Sequence, residues 1–590
     1  MARQEILEYL QGASTTGYEV FGAHFTHEYG QDGVRFTVYA PAAAGMQLIG
    51  DCNGWQGWQM ERSPEGAWSI FAHDIPEGTK YKYRVTTSAG EVYDRADPFA
   101  FYSEVRPDTA SVVYDVTRYE WHDGAFLAAR DKNFSRPLNI YEMHAGSWKR
   151  PDGQGMPSYT ALADSLIPYL KAGGYTHVEL LPLTEHPFDG SWGYQCTGYF
   201  AATSRYGGPR ELMQFVDRCH QAGIGVILDF VPLHFVTDFY ALHQFDGSFL
   251  YESEDEARRF SEWGTALFDY TKPHVLSFMK SALDFWMAYY HIDGVRYDAV
   301  SCLIYHGGRP ENGVNEAGVW FLKNANYALG QKWPDVMLIA EDSSMYLKVT
   351  APVPYGGLGF DYKWDLGFMN DTFRYLAGGN RRQERISAST EYFYQEKYIL
   401  PFSHDEVVHC KNTIVNKLPG TLEQRLAQAR ALYLYFFTHP GKKLNFMGNE
   451  LAAIREWDEA RQLDWDLLDT PGHAQFNRFF CAVSRWYGTE PALYETDLHP
   501  EGFCWLHAGG GVFVYERRSL QGEPVVVALN FSGQPCLHLS VRVRDGLWRE
   551  ALSTEDEAFG GAGLTNGEKQ VAGGCLTLRL PGYGGCVFKP

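Results

Sequence analysis

Apolar and polar residues follow three different patterns along the chain. From about residue 15 to 118, short segments such as Val34–Ala40 and Lys80–Thr86 alternate apolar and polar positions. Turn residues, for example those of Pro76–Thr79, separate these segments. Such alternation is typical of strands with one buried and one solvated face. We therefore predict a small β-sandwich for this first region.

From about residue 138 the pattern changes to apolar β segments separated by amphipathic helical stretches such as Tyr159–Ala172 and Pro209–Ala222. The predicted strands are Leu138–Gly146, His177–Leu183, Gly225–Val231, Gly294–Val300, Val336–Ser343, Asp361–Leu366, Tyr398–Glu406 and Lys442–Glu450. Eight such units predict a (β/α)8 barrel with its site at the C-terminal ends of the strands. The stretch Val236–Asp269 is too long for an ordinary loop, so we expect an excursion there.

After about residue 490 short strands return, for example Val525–Asn530 and Leu576–Leu580, with glycine-rich turns between them. The predicted fold class is a multidomain protein, in which β-sandwich domains flank a central (β/α)8 TIM barrel on both sides. The predicted domains are an N-terminal β-sandwich over 1–118, a barrel over 119–489 with its excursion near 236–269, and a C-terminal β-sandwich over 490–590.

Composition narrows the possible partners. The formal net charge of −21 argues against nucleic acid and against an anionic membrane surface. No apolar run is long enough to span a bilayer, and the first residues lack the pattern of a signal peptide. The ten cysteines are scattered without a CxxC pair, which indicates reduced thiols and not disulfides or zinc. We expect a cytoplasmic protein that is a monomer or a weak oligomer.

Acidic residues and histidines mark the ends of several predicted strands. Arg296 and Asp298 lie two residues apart, so on a strand they project from the same face. An arginine beside a buried carboxylate keeps it ionised and oriented, which a covalent nucleophile requires. A structural ion pair explains this short segment alone about equally well.

Other strand ends favour the catalytic interpretation. The third strand leads to Asp229 and His234, the fifth to Glu341, and the seventh to His404 and Asp405. Because Asp298 and Glu341 are one βα unit apart, they lie on adjacent strands. Two carboxylates placed in this way can flank one glycosidic bond, with one attacking and the other exchanging protons, as in a retaining mechanism.

At these residues the sequence resembles the α-amylase superfamily, glycoside hydrolase family 13, and within it the 1,4-α-glucan (glycogen) branching enzymes. The family's four conserved regions match Asp229–His234, Gly294–Val300, Ala340–Ser343 and Ser403–His409. The phrases that favour branching enzymes are Tyr141–Trp148, Trp192–Gln195, Trp263–Thr265 and His404–His409. The N-terminal region resembles the family 48 carbohydrate-binding module through Phe36–Pro41, Asn53–Trp55 and Ala96–Pro98.

The resemblance implies a role for each matched residue. Asp298 is implied as the nucleophile, Glu341 as the general acid/base and Asp405 as the transition-state stabiliser. Tyr194 falls where the family has the tyrosine that stacks under the transferred glucose. The remaining implied substrate-binding residues are Asp229, His234, Arg296, His404, Trp192 and Trp263.

The sequence departs from many relatives at Leu233 and Cys410, where they carry glycine, and in the segment His306–Arg309. Amylases use an asparagine at the position of Leu233 as a calcium ligand. Because leucine offers no oxygen to a hard cation, we expect no calcium at this position. The sequence also lacks clustered cysteine or histidine ligands, so we expect no other metal, and we expect no cofactor. The other departures bear on acceptor contacts and leave the reacting groups in place.

The implied function is transfer of α-1,4-glucan segments to a 6-hydroxyl with net retention, which makes α-1,6 branches in a glycogen-like polysaccharide. The glucan (amylose or glycogen) is both donor and acceptor. Two kinds of alternative remain: an α-glucan hydrolase, including debranching and trehalose-releasing enzymes, on the same barrel, and a non-catalytic glucan-binding protein. The phrase His404–His409 argues against debranching and trehalose release, and the three acids argue against a simple binder.

Overall fold

The computed structural model describes residues 3–377 and 384–590. The first elements are α1 (Arg3–Leu10), β1 (Gly22–Glu28), β2 (Gln31–Tyr39), β3 (Gly45–Gly50), β4 (Trp58–Gln59), β5 (Glu61–Arg62), β6 (Ala67–His73), β7 (Lys80–Thr86), β8 (Val92–Arg95), β9 (Ser111–Val112) and α2 (Gly124–Ala129). Helix α1 precedes two antiparallel sheets, in the orders β1-β2-β6-β5 and β4-β3-β7-β8, with β9 beside β7. The predicted N-terminal β-sandwich is confirmed.

The predicted barrel is also confirmed, because all eight segments form strands of one closed barrel in chain order. These strands are β10 (Asn139–Met143), β11 (His177–Leu180), β14 (Gly225–Phe230), β17 (Gly294–Tyr297), β18 (Met337–Ala340), β19 (Tyr362–Trp364), β20 (Tyr398–Phe402) and β21 (Lys442–Phe446). The short strands between them are β12 (Thr184–Glu185), β13 (Gly198–Ala202), β15 (His234–Phe235) and β16 (Ala266–Leu267). The excursion leaves and returns through the antiparallel pair β15 and β16.

Each barrel strand ends earlier than its apolar pattern predicted. The Gly294–Val300 segment, for example, is a strand only to Tyr297. Val300 is buried but belongs to the helix that follows, so its apolar character reflects burial beyond the strand and not a longer strand. In a (β/α)8 barrel the site lies at the C-terminal ends of the strands, and here the segments that directly follow the strands form that face.

Helices connect most of the barrel strands. They are α3 (Ala145–Trp148), α4 (Tyr159–Gly173), α5 (Pro209–Gln221), α6 (Pro273–Tyr290), α7 (Val300–Ile304), α8 (Glu316–Lys332), α9 (Leu366–Leu376), α10 (Glu384–Ser387), α11 (Ser389–Tyr392), α12 (Leu422–Thr438) and α13 (Pro471–Thr489). Helix α5 starts with Pro209 at a position that needs no N–H, and the Glu211 carboxylate caps the N–H of Gly208. No helix among the described residues is long and apolar enough to cross a membrane.

The C-terminal region is all β, as predicted. Its strands are β22 (Phe503–Gly509), β23 (Val512–Arg518), β24 (Pro524–Asn530), β25 (Cys536–Arg542), β26 (Gly546–Ser553), β27 (Glu568–Val571), β28 (Cys575–Leu580) and β29 (Gly584–Lys589). They form a six-stranded sheet and the pair β25–β28. Alternate residues of both sheets, among them Val526, Trp548 and Leu578, make one apolar core.

The described chain divides into two compact units. The first falls within Met1–Asp131, Arg150–Asp164 and Leu180–Asp361, and the second within Lys132–Lys149, Ser165–Glu179 and Tyr362–Pro590. Within the first unit, the N-terminal region packs against helix α6 and strand β13. The Tyr18 hydroxyl donates to Asp284 at 2.6 Å, and the Phe99 ring stacks on Phe200 with centroids 4.6 Å apart. These buried contacts join the N-terminal sheets to the part of the barrel that belongs to this unit.

His220, on α5, is a fully buried link between two carboxylates of the first unit. Its Nδ1 lies 2.9 Å from Asp123 and its Nε2 lies 2.9 Å from Asp293, so both ring nitrogens donate and the imidazole is protonated. Asp123 also pairs with His291, and Asp293 with Arg130. Burial alone lowers the pKa of His220, but the two carboxylates raise it to about 9.

We expect this link to make stability depend on pH. The folded-state pKa of His220 lies above its unfolded value, so its contribution is complete below about pH 6.5. That contribution is lost as the pH rises through about 9. The free-energy advantage of the wild type over His220→Asn should therefore fall by about 3 kcal/mol across this range. Thermal unfolding of both proteins over the pH series measures it, and a difference that does not change with pH would contradict the assignment.

Candidate active site

In the first unit the predicted nucleophile lies directly beyond strand β17. Neighbouring strands align Asp229 with Arg296, and Arg296 with Ile339. The backbone N–H of Asp298 donates to Phe230 O at 2.9 Å, and that of Glu341 donates to Tyr297 O at 3.1 Å. The ladder therefore continues past the strand ends and brings both acids to the same edge of the sheet.

Arg296 is the centre of the charge arrangement. Its side chain is buried, and its Nη1 donates to both oxygens of Asp229, at 2.8 and 3.0 Å, and to Oδ1 of Asp298 at 2.7 Å. Burial alone lowers the pKa of the Arg296 guanidinium, but these carboxylates hold it well above its usual range. The predicted pairing of Arg296 with Asp298 is confirmed, and Asp229 is the second partner of the same cation.

The two acids are held from different sides. Oδ1 of Asp298 accepts a hydrogen bond from Arg296. Oε2 of Glu341 accepts one from the backbone N–H of Ala299 at 2.8 Å. Both side chains are 18% exposed, enough for a ligand to reach them. Ala299, which lies between Asp298 and helix α7, has a left-handed backbone with φ of 50°. A strained residue beside a reacting group is a frequent feature of active sites.

Tyr194 extends this network. Its hydroxyl donates to Oδ2 of Asp229 at 2.5 Å, and the Arg296 guanidinium lies 6.0 Å from the centre of its ring. A chain of polar contacts therefore leads from Tyr194 through Asp229 and Arg296 to Asp298. Trp192 lies two residues before Tyr194 in a turn and is half-buried.

His234 and Trp263 form a second pair in this unit. Their rings lie 5.4 Å apart, and Trp263 is 52% exposed whereas His234 is buried. Burial lowers the pKa of His234, and the charge of Asp298 offsets only part of this effect. A neutral histidine keeps one ring N–H as a donor, and its Nδ1 has no hydrogen-bond partner in the described protein.

His404 and Asp405 lie in the second unit, in a turn that follows strand β20. The His404 ring is buried, with Nε2 at 3.4 Å from Asp405, whereas Asp405 is 51% exposed. Nδ1 and the backbone N–H of His404 both bond to Glu142, at 2.5 and 3.0 Å. Glu142 therefore orients His404, as carboxylates commonly do for functional histidines.

Sequence reasoning missed Glu142, although the segment that contains it was singled out. The signal was available, because an acid in a short apolar strand such as Asn139–Met143 is buried and requires a partner. The backbone N–H of Ala299, which donates to Glu341, could not have been identified from the sequence, because every residue except proline has such a group.

Within the described residues, no group of three or more His, Cys, Asp and Glu side chains is arranged to hold a metal ion. Leu233 is a buried apolar residue.

Three protein families match parts of the chain. Residues 20–100 match carbohydrate-binding module 48 (isoamylase N-terminal domain), residues 143–263 the alpha amylase catalytic domain, and residues 505–590 the alpha amylase C-terminal all-beta domain. A pullulanase from Bacillus acidopullulyticus is similar in fold, with a TM-score of 0.75 at 18% identity over 97% of this chain and 75% of that one. A type I pullulanase from Bacillus subtilis has a TM-score of 0.74 at 19% identity over 96% and 85%.

Curated relatives are much closer in sequence. The 1,4-alpha-glucan branching enzyme GlgB of Bacillus caldolyticus is 44% identical, over 99% of this chain and 91% of its own length. The GlgB of Desulfitobacterium hafniense is 42% identical, over 100% and 98%. Identity of this extent covers all three regions of the fold together with the strand ends described above. The chain belongs to the 1,4-alpha-glucan branching enzyme family.

Proposed function

We propose that the chain is a 1,4-α-glucan branching enzyme, which cuts an α-1,4-glucan and rejoins the segment through an α-1,6 linkage. The observation that carries the proposal is the pairing of Asp298 and Glu341 on neighbouring strand ends, with Arg296 and Ala299 N–H each holding one carboxylate. Such a pair suits a retaining double displacement. Family membership favours transfer over the hydrolytic alternatives and over a non-catalytic binding protein.

In the first step Asp298 attacks C1 of the glucose at the cleaved bond. Arg296 holds Oδ1, so Oδ2 is the attacking oxygen and forms the glycosyl ester. Glu341 gives its proton to the glycosidic oxygen, and the reducing-side fragment leaves. Because Oε2 of Glu341 is an acceptor for Ala299 N–H, we assign the transferred proton to Oε1.

In the second step a 6-hydroxyl of an acceptor glucan enters. Glu341, now ionised, removes its proton, and the oxygen displaces Asp298 from C1. Two inversions give net retention. We assign to Asp405 the stabilisation of positive charge at C1 in both transition states, and to His404 and His234 hydrogen bonds to sugar hydroxyls. Tyr194, Trp192 and Trp263 offer ring faces for stacking, and Tyr194 lies under the transferred glucose.

Branching is separated from hydrolysis by the fate of the ester. Water and a sugar hydroxyl compete for the same intermediate, so transfer requires a bound acceptor with a high effective concentration. On amylose we expect the iodine colour to fall while reducing ends rise very little. Subsequent treatment with a debranching enzyme should then release short chains.

The control for this assay is Asp298→Asn, which keeps the shape of the side chain and removes its nucleophilic charge. It should leave iodine colour and reducing ends unchanged. Reducing ends that rise in step with the loss of colour would identify a hydrolase. Binding of amylose without any change in linkage would identify a binding protein.

A further inference from the structure

Asp189 is held by two arginines that come from distant parts of the first unit. Arg106 lies in the segment between β8 and β9 of the N-terminal sheets, and its guanidinium pairs with Oδ2 of Asp189. Arg205 donates from Nε to Oδ1 at 2.8 Å. Partial burial raises the pKa of Asp189, but the two cations lower it overall, so the carboxylate stays ionised.

The partner arginines differ in how firmly they are themselves fixed. Arg205 is 4% exposed and also donates to Glu185 at 2.7 Å and to Thr203 at 3.0 Å. Arg106 is 38% exposed, and its second contact is with Pro187 O at 3.5 Å. Arg205 thus belongs to the barrel's own buried network, whereas Arg106 is a contact that the N-terminal region adds.

Asp189 begins the turn that leads to Tyr194. The N–H of Trp192 donates to Asp189 O, and the N–H of Tyr194 donates to Ser191 O, both at 2.9 Å. Trp192 has φ of 57°, and Gly193 has φ of 96°. A Cβ on Gly193 would lie 2.2 Å from Pro182 O, so the turn packs directly against the backbone of Pro182. A turn this tightly packed passes a shift of Asp189 on to Tyr194.

We infer that Arg106 is a positioning residue for the branching reaction, through which the N-terminal β region fixes the turn 189–194 and hence Tyr194. The inference rests on the proposed function. The path runs from Arg106 to Asp189 and along the turn to Tyr194, whose hydroxyl donates to Asp229 at 2.5 Å. Asp229 in turn accepts from Arg296. Arg106 itself touches none of the reacting groups.

The expected effect falls on turnover and not on stability. Because the Arg106–Asp189 pair is about one-third exposed, it contributes little to the free energy of unfolding. A small displacement of a group aligned with the reacting atoms, in contrast, lowers the rate steeply. Long glucans contact many residues, so KM should change little.

The test compares Arg106→Ala with Arg84→Ala. Arg84 pairs with Asp94 within the N-terminal sheets, with exposures of 33% and 39%, close to the 38% and 36% of Arg106 and Asp189. We expect Arg106→Ala to lower kcat for branching of amylose about ten-fold, with KM and the unfolding temperature near those of the wild type. Arg84→Ala should change none of these, and Arg106→Lys should recover part of the loss.

A second measurement separates positioning from a general structural effect. In a Tyr194→Phe background, which lacks the bond to Asp229, Arg106→Ala should lower kcat little further. An equal loss in both backgrounds, or wild-type kcat in Arg106→Ala, would overturn the inference. Should Arg106→Ala fail to fold, Asp189→Asn tests the same path with the same expected loss. If the wild type itself only hydrolyses amylose, the proposed function is refuted. The inference about Arg106 is judged separately, from the branching rate of Arg106→Ala relative to that of the wild type.

Discussion

Asp298→Ala, Glu341→Gln and Asp405→Ala are each expected to lower kcat for branching by roughly 10⁴-fold, while the protein stays folded and still binds glucan. Asp298→Ala removes the proposed nucleophile, which Arg296 orients. Glu341→Gln keeps an acceptor for the Ala299 N–H but cannot give up a proton. The measurements are initial rates of branching on amylose, unfolding temperature, and retention by immobilised amylose.

The double variants distinguish a joint role from three separate ones. Groups that act as a unit are strongly non-additive, so Asp298→Ala combined with Glu341→Gln should be little slower than either variant alone. Glu311→Gln, an exposed acid of the same unit, serves as the control and should keep wild-type rates. Near-wild-type turnover in any one of the three variants would remove that residue from the assigned chemistry.

Much of the barrel was predictable because its strands are short apolar runs with acids at their ends. Asp229, Arg296 and Glu341 stand out in such runs, since a buried strand rarely carries charge without a reason. Strand order then followed from chain order, as parallel βα units allow few arrangements. Strand lengths were predicted less well, because residues such as Val300 are apolar but belong to the loop or helix after the strand.

The partners of the site residues were not predictable in the same way. Sequence spacing paired Arg296 with Asp298, but it did not indicate that the same cation bridges to Asp229, 67 positions away. Likewise, nothing local to Asp189 indicates Arg106, which is 83 positions distant. Such contacts depend on how loops fold over the strand ends, and this is set by tertiary packing and not by local pattern.

Substitution of Arg296 is expected to cause the second large loss, in both stability and turnover. Its guanidinium is buried between Asp229, which is fully buried, and Asp298. Arg296→Ala leaves a buried carboxylate without its counter-charge, which costs about 4 kcal/mol of unfolding free energy. Turnover should fall at least about 100-fold as well, because neither Tyr194 nor Asp298 keeps its orientation. Denaturant unfolding and branching rates measure the two losses separately.

Combining Arg296→Ala with Asp229→Ala separates charge balance from catalysis. The double variant removes the unpaired carboxylate along with its partner, so part of the lost stability should return. Activity should not return, because Asp298 still lacks the donor that holds Oδ1 and leaves Oδ2 to attack. Arg296→Lys should fold well, yet the lysine side chain is one atom shorter and does not place its ammonium where Nη1 of Arg296 contacts both carboxylates, so its turnover should stay low. Full activity in Arg296→Lys would mean that positive charge alone suffices, and unchanged stability in Arg296→Ala would mean that Asp229 finds another partner. Restored stability without turnover in the double variant, together with low turnover in Arg296→Lys, is the combined result expected of an orienting role for Arg296.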